Sequence, residues 1–339
     1  MEHLEIDGRH AGGQVLRSAL ALSLCTGIGF TMTNIRGARP RPGLMRQHLA
    51  AVRAALQISD SRAEGDALGS TTLRFVPGAV RGGEHSIAIG SAGSTTLVVQ
   101  TVLPALWAAG ASARLVLEGG THNPMAPSAN FLIDSFLPPL RRMGLDAALM
   151  LERHGFFPAG GGRLVLDVSA GEKPRAMVWD ERTASPTLSA RVLVSGLSPD
   201  IGLRELAVLR ERLGIDEGDA RLHEVKPAIG PGNVAMVAVD IDGHRQWWDS
   251  HGERGLSAEA VALRLAERVQ RFVDSGAVIG EHLADQLLLP MALAGGGAFL
   301  TETPCEHLRS NAALIEKFLP LEFLVDREDD DAWRVKVVA

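Results

Sequence analysis

Three arginines, Arg36, Arg39 and Arg41, fall within the Pro/Gly-punctuated segment RGARPRPG, and that pattern suits the gripping of phosphate. Guanidinium is planar, always charged, and able to offer two N–H groups to one phosphate. The surrounding stretch strengthens the reading: residues 8 to 59 hold seven arginines, no lysine and no Asp or Glu, in a chain whose net charge is −6. An arginine-only patch in an acidic chain points to a local phosphate site and argues against a general nucleic-acid coat. A second candidate is His307, in TPCEHLRS, just ahead of a helix expected from Ser310 or Asn311. The positive end of a helix dipole favours neutral imidazole, which is a nucleophile toward phosphorus, and the same helix end holds phosphate. Cys305 is the competing nucleophile, but no base or orienting partner can be assigned to it from sequence, and it reads as structural.

These residues lie in corresponding places of a pattern that occurs three times: glycine turn, apolar helix, strand, irregular loop, second helix, then strands. The first copy reads GGQVLRSALALSLCTG, FTMTNIR, RGARPRPG and LMRQHLAAVRAALQI. The second reads GSTTLVVQTVLPALWAAG, ASARLVLEGG, THNPMAPS and ANFLIDSFLPPLRRMG; the third reads EHLADQLLLPMALAGG, GAFLTE, TPCEHLRS and NAALIEKFL. If the copies pack about a shared axis, their loops face one another. Arg36, Arg39 and Arg41 then form one wall of a site, Asn123 to Pro127 another, and His307 the third.

The strand ends at Arg36, Gly119 and Thr301 are 83 and then 182 residues apart, so the second interval holds an insertion. RVLVSGL and NVAMVAVDI read as strands, LRELAVLRERLG and SAEAVALRLAERVQRFVDSG as amphipathic helices, and together they make a self-contained set. The expected division is a three-repeat domain over residues 1–180 and 277–339 with an inserted domain over 181–276, in a fold of the α/β or α+β class. Trp247 and Trp248 of the insertion read as buried.

Composition bounds the setting. The beginning MEHLEIDG is acidic and strand-like, which does not resemble a signal peptide. The longest uncharged apolar run, Leu287 to Leu300, contains three glycines and is too short to cross a bilayer. Cys25 and Cys305 are the only cysteines and form no CxxC pair, so a reduced, cytoplasmic compartment is expected. No HExxH, Cys/His cluster or Walker lysine motif occurs; nucleotide chemistry here uses something other than a P-loop.

Eight blocks, GGQVLRSAL, RPRPGLMRQHL, IGSAGSTTLVVQTVLPALW, GGTHNP, RHGFFPAGGG, GPGN, HLADQLLLPMALAG and HLRSNAALIEKFLP, resemble the RNA 3′-terminal phosphate cyclases in order and over essentially the whole chain. The resemblance implies a large domain of three repeated units about a pseudo-threefold axis, each of two helices and a four-stranded sheet, with a smaller inserted α/β domain. It also implies a reaction. His307 attacks the α-phosphorus of ATP and releases pyrophosphate; AMP passes to an RNA 3′-phosphate; the adjacent 2′-hydroxyl displaces AMP and closes a 2′,3′-cyclic phosphate. ATP, a divalent metal (Mg2+ or Mn2+) and RNA with a 3′-terminal phosphate are the implied participants, with no role for a membrane.

By the same resemblance, Gln100, Pro127 and the run His282, Leu283, Ala284, Asp285 and Gln286 match ATP-binding positions. Arg17, Arg36, Arg39, Gln47 and His48 match residues around the phosphates and the RNA end, with Arg41 beside them. Read without the family, Gln100 is a core amide and His48 a core histidine. The chain departs from the family pattern in two places. Where EGGGQ is usual it reads RHAGGQ, placing His10 at the metal and triphosphate, with Asp285 as the other candidate ligand; and His282 stands where tyrosine is common. Two other classes compete: a non-catalytic RNA-binding ribosome-assembly factor, against which the retained His307 counts, and an enolpyruvyl transferase, which normally needs six units and a longer chain.

Overall fold

The structure, a computed structural model, describes residues 2–10, 12–90, 92–329 and 331–339, and one six-element unit occurs in it three times. The first unit comprises β1 (His3–Asp7), α1 (Gly13–Thr26), β2 (Gly29–Thr33), α2 (Arg46–Gln57), β3 (Arg62–Glu64) and β4 (Leu73–Val76). The second comprises β5 (Gly83–Ala88), α3 (Thr95–Ala108), β6 (Ala113–Gly119), a π-turn (Phe131–Phe136) running into α4 (Leu137–Arg142), β7 (Ala147–Arg153) and β8 (Gly162–Val168). The third begins at β9 (Val178–Trp179) and is then interrupted by β10 (Thr187–Ser195), α5 (Pro199–Leu213), β11 (Ala220–Glu224), β12 (Gly232–Ile241), β13 (His244–His251) and α6 (Ala258–Asp274). It resumes with α7 (Glu281–Leu293), β14 (Gly297–Thr301), α8 (Glu306–Phe318), β15 (Glu322–Arg327) and β16 (Trp333–Val338).

The sheet orders β1-β2-β4-β3, β5-β6-β8-β7 and β9-β14-β16-β15 are the same order. In each, the first two strands pair in parallel and the remainder antiparallel. A parallel pair needs a crossover, and α1, α3 and α7 with its interrupting segment supply it. The expected α/β class with repeated units is the fold observed.

The first helix of each unit is apolar nearly all round because it is enclosed on several sides. Leu16 and Leu20 to Leu24 of α1 are buried, and α1 packs against α3 and α8. Pro104 of α3 and Pro290 of α7 occupy the same place, the tenth residue of each helix. Side chains from all three units join one core, whereas β10, β12 and α6 contribute to a second, built on Val192, Val237, Leu265 and Phe272.

Successive side chains on a strand face opposite ways, and β13 uses this to join the two cores. Trp247 belongs to the first and Trp248 to the second, so the expected burial of both holds. Pro138 and Pro139 lack the N–H groups that would bond back to Asp134 and Ser135, which accounts for the wide turn there. The same two residues receive Trp247: its Nε1 donates to Asp134 Oδ2 at 2.8 Å and its backbone N–H to Ser135 Oγ at 2.9 Å. No helix among the described residues is long and apolar enough to cross a membrane.

Candidate active site

Asp285, on the first turns of α7, is the point on which three helices converge. Gln14 of α1 donates its amide to both carboxylate oxygens, at 2.6 and 2.5 Å, and Asn311 of α8 donates to Oδ1 at 3.1 Å. Burial raises the Asp285 pKa, while Gln14, His307, Asn311 and Arg17 pull the other way.

Arg17, one turn beyond Gln14, links this carboxylate to the arginine loop. Burial pulls its guanidinium down to about 10 against the attraction of Asp285, so it stays charged at neutral pH. On its other side lies His48, 3% exposed, with a pKa lowered to about 4 by burial and then by Arg17 and Arg36. Its Nδ1 accepts the Met45 N–H at 3.0 Å, leaving Nε2 to carry the proton. A neutral donor therefore points at the glycine turn. A β-carbon on Gly13 would lie 2.6 Å from His48 Nε2 and 2.9 Å from an Arg17 guanidinium nitrogen, so glycine lets both groups close on the start of α1.

Arg36 takes a left-handed backbone, φ 55°, and donates to the Arg41 and Gly43 carbonyls at 2.8 and 3.4 Å, closing its loop as a ring. Arg39, Arg41 and Gln47 are exposed, and no side-chain contact ties them to Asp285 among the described residues. His10 is exposed beside Asp7, whose pKa is lowered chiefly by the Arg9 N–H and Asn34 and in small part by Arg9 and His10.

On the opposite side, Gln100 of α3 donates to Gln286 of α7. Each is the sixth residue of its helix, so equivalent positions of two units meet. Thr96, one turn before Gln100, donates to the Pro127 carbonyl at 2.7 Å and places the 121–128 loop against the same helix. Leu283 and Ala284 pack in the core, while His282 is exposed and its Nε2 accepts from Arg268 Nη2 at 2.8 Å.

His307 is exposed in the first turn of α8. The helix begins at Glu306, a turn earlier than the sequence suggests, because Cys305 serves as N-cap without a side-chain cap bond and Ser310 lies inside. His307 therefore sits within the positive helix end. Burial raises the Cys305 pKa, with Asp285 and Glu281 adding to it against the neighbouring N–H groups, and a protonated thiol is a weak nucleophile.

A family profile described as RNA 3′-terminal phosphate cyclase matches residues 9–325. Proteins of that name from Ralstonia nicotianae and Ectopseudomonas mendocina are 46% and 45% identical to this chain, over 96% and 99% of its length and 94% and 98% of theirs. One from Salmonella enteritidis is 44% identical over 94% of each. The chain belongs to the RNA 3′-terminal phosphate cyclase family.

Several residues of this candidate site escape a sequence reading. Gln14 and Asn311 orient Asp285 from positions 271 and 26 residues away, and only their presence in the GGQVLRSAL and HLRSN blocks hints at them. Arg268 reaches His282 from α6 and Glu302 accepts the Glu281 N–H at 3.1 Å, capping α7. Burial pushes Glu302 up to about 7. A carboxyl raised in the fold contributes stability that is complete below its unfolded value and is lost as pH rises through its folded value. Glu302→Gln should therefore melt with the wild type near pH 4.5 and be about 1–3 kcal/mol more stable near pH 8. Equal melting at both pH values would show that folding leaves the Glu302 pKa unshifted.

Proposed function

We propose that this chain is an ATP-dependent enzyme that converts an RNA 3′-terminal phosphate into a 2′,3′-cyclic phosphate. The carrying observation is the exposed His307 in the first turn of α8, one turn before the Asn311 that, with Gln14 of α1, hydrogen-bonds the Asp285 carboxylate. In the first step an imidazole nitrogen bonds to the α-phosphorus of ATP as the bond to pyrophosphate breaks. A 3′-phosphate oxygen of RNA then displaces the imidazole from that phosphorus. Finally the 2′-hydroxyl attacks the terminal phosphorus, loses its proton and expels AMP. Each step is an in-line displacement at a charged phosphorus, so alignment and charge neutralisation are the protein's contributions. Arg17 and the neutral His48 donor supply them at the α1 turn, with Arg36 and Arg39 supplying them at the RNA end. Gln100, Pro127, His282 and the polar Gln286 serve the nucleotide.

A divalent ion fits this site only in part. Among the described residues no three His, Cys, Asp or Glu side chains converge as a metal-holding group. Asp285 would offer a carboxylate oxygen, with triphosphate oxygens and water filling the other positions as is common for magnesium on nucleotides, whereas the imidazole of His10, exposed beside Asp7, suits manganese better than magnesium. Bound there, an ion would neutralise triphosphate charge.

The activity is tested by incubating RNA bearing a 3′-phosphate with the protein and ATP. The end should become resistant to phosphatase only with ATP present; an end that stays sensitive would refute the proposal. Arg39→Ala should reduce use of a 3′-phosphate end by about 10- to 150-fold, the worth of a lost charge-assisted contact of about 1.5–3 kcal/mol. Arg36→Ala should do the same and also free the Arg41 and Gly43 carbonyls. Binding of the same RNA ending in hydroxyl should change far less. Equal losses for both ends would make the arginine loop a general electrostatic surface.

A further inference from the structure

The blocks RHGFFPAGGG, GPGN and GGTHNP take no part in the chemistry above, yet they meet at one seam. Gly232 lies against the Phe156 ring, Gly230 against Ala159 and Gly161 against Ile229, at approaches where a β-carbon would stand 2.2 to 2.5 Å from its neighbour. Beside this contact a cleft of about 270 Å3 opens between the end of β7 and the end of β11. Arg153, His154, Arg163, His223 and Lys226 line it, with Glu152 the sole acid.

The cations there are unequally occupied. Arg163 is neutralised by Glu152 and Glu118, at 2.6 and 3.1 Å. Arg153 spends only its Nε, on the Gly161 carbonyl at 2.5 Å, and among the described residues its terminal guanidinium nitrogens have no partner. Lys226 is exposed and touches Glu224 at 2.7 Å. Flat rings stand beside these charges. His122, held by Thr121 and Asn130 at 2.9 Å each, stacks on His154 at 5.1 Å, and His154 faces the exposed His223 at 6.2 Å. Burial lowers His154 to about 4, leaving it an uncharged face at neutral pH. The same loop exposes Phe157 (62%). Arg153 with unused guanidinium nitrogens, and an exposed lysine whose surface ion pair a phosphate can replace, stand beside flat faces, which is what a single RNA strand requires, phosphates on one side and bases on the other.

The cleft also lies a short span of chain from the nucleotide side of the proposed site. His122 and Pro127 belong to one loop, and five residues span at most about 18 Å. One end of that loop stacks into the cleft; the other is fastened to α3 one turn from Gln100.

We infer that this cleft seats the RNA strand a few nucleotides upstream of its 3′ end, with Arg153 and Lys226 on its phosphates and the exposed His223, backed by His154, against a base. The inference rests on the RNA-end reading above but is tested by binding, which needs no turnover. A fluorescent ten-nucleotide RNA with a 3′-phosphate is titrated against wild type, Arg153→Gln/Lys226→Gln, and the control Lys317→Gln/Lys336→Gln, which removes the same charge elsewhere. The cleft variant should bind at least about tenfold more weakly, and its log–log salt slope should be shallower by about 1.4, at about 0.7 per lost single-strand phosphate contact. The control should match wild type. Self-adenylation by the cleft variant should stay at the wild-type level, reporting an intact fold. Unchanged affinity and slope, or an equal loss in the control, would overturn the inference. If the protein proves not to cyclise RNA but the cleft variant alone loses binding, the cleft stands and the proposed activity falls.

Discussion

Replacing His307 with alanine should abolish both the protein–AMP adduct and RNA cyclisation, while leaving the fold unchanged. The side chain is exposed and its ring makes no hydrogen bond among the described residues, while its backbone carbonyl accepts from Ser310 Oγ at 3.1 Å. Its removal therefore costs little packing, whereas loss of a nucleophile lowers a covalent step by at least about 10³-fold. Near-equal melting of wild type and variant, with adenylation lost, is the expected pair of results. An adduct retained in His307→Ala would move the nucleophile elsewhere, with His48 and His10 the residues to test next. His48 is a poor substitute: its lowered pKa leaves it neutral, but it is buried and its Nδ1 is occupied by Met45.

Asp285→Asn should separate activity from stability. The wild-type carboxylate collects three donated hydrogen-bond contacts from Gln14 and Asn311, along with the charge of Arg17. Asparagine has one oxygen for the two amides, turns an N–H2 toward a donor, and removes the counter-charge that sets Arg17. Losing about 3–4 kcal/mol of such interactions corresponds to a fall of about 10²- to 10³-fold in adenylation. Stability should move less, and with a definite pH dependence. Because burial raises the Asp285 pKa, the ionised carboxylate detracts from stability as pH rises above its ordinary range, and asparagine lacks that penalty. The variant should gain on the wild type from acid to neutral pH while adenylating slowly. Wild-type adenylation rates in Asp285→Asn would remove Asp285 from the working site.

Much of this architecture is legible in the chain, since it depends on local patterns repeated three times. An apolar helix, a glycine, a short strand and an irregular loop recur in the same order, and Pro104 and Pro290 mark the same place in two copies. The partnerships across the units are less legible. Nothing local distinguishes Gln14 from any other amide on an apolar helix; its meaning comes from meeting Asp285. Gln100 likewise reads as a core amide until Gln286 is set opposite it. The start of α8 is misplaced because Thr-Pro-Cys looks like loop and Cys305 offers no side-chain cap, so Ser310 draws the boundary a turn too late. The cleft at Arg153 and Lys226 joins residues from different sheets, and only the packing of GPGN onto RHGFFPAGGG brings them together.

The proposed reaction turns on one covalent bond, between His307 and AMP. Wild-type protein incubated with α-labelled ATP and a divalent metal, then denatured, should carry one AMP per chain, stable in base and released in acid as a phosphoramidate is. An unlabelled protein that nevertheless converts the RNA end, or a label that survives acid, would contradict the mechanism.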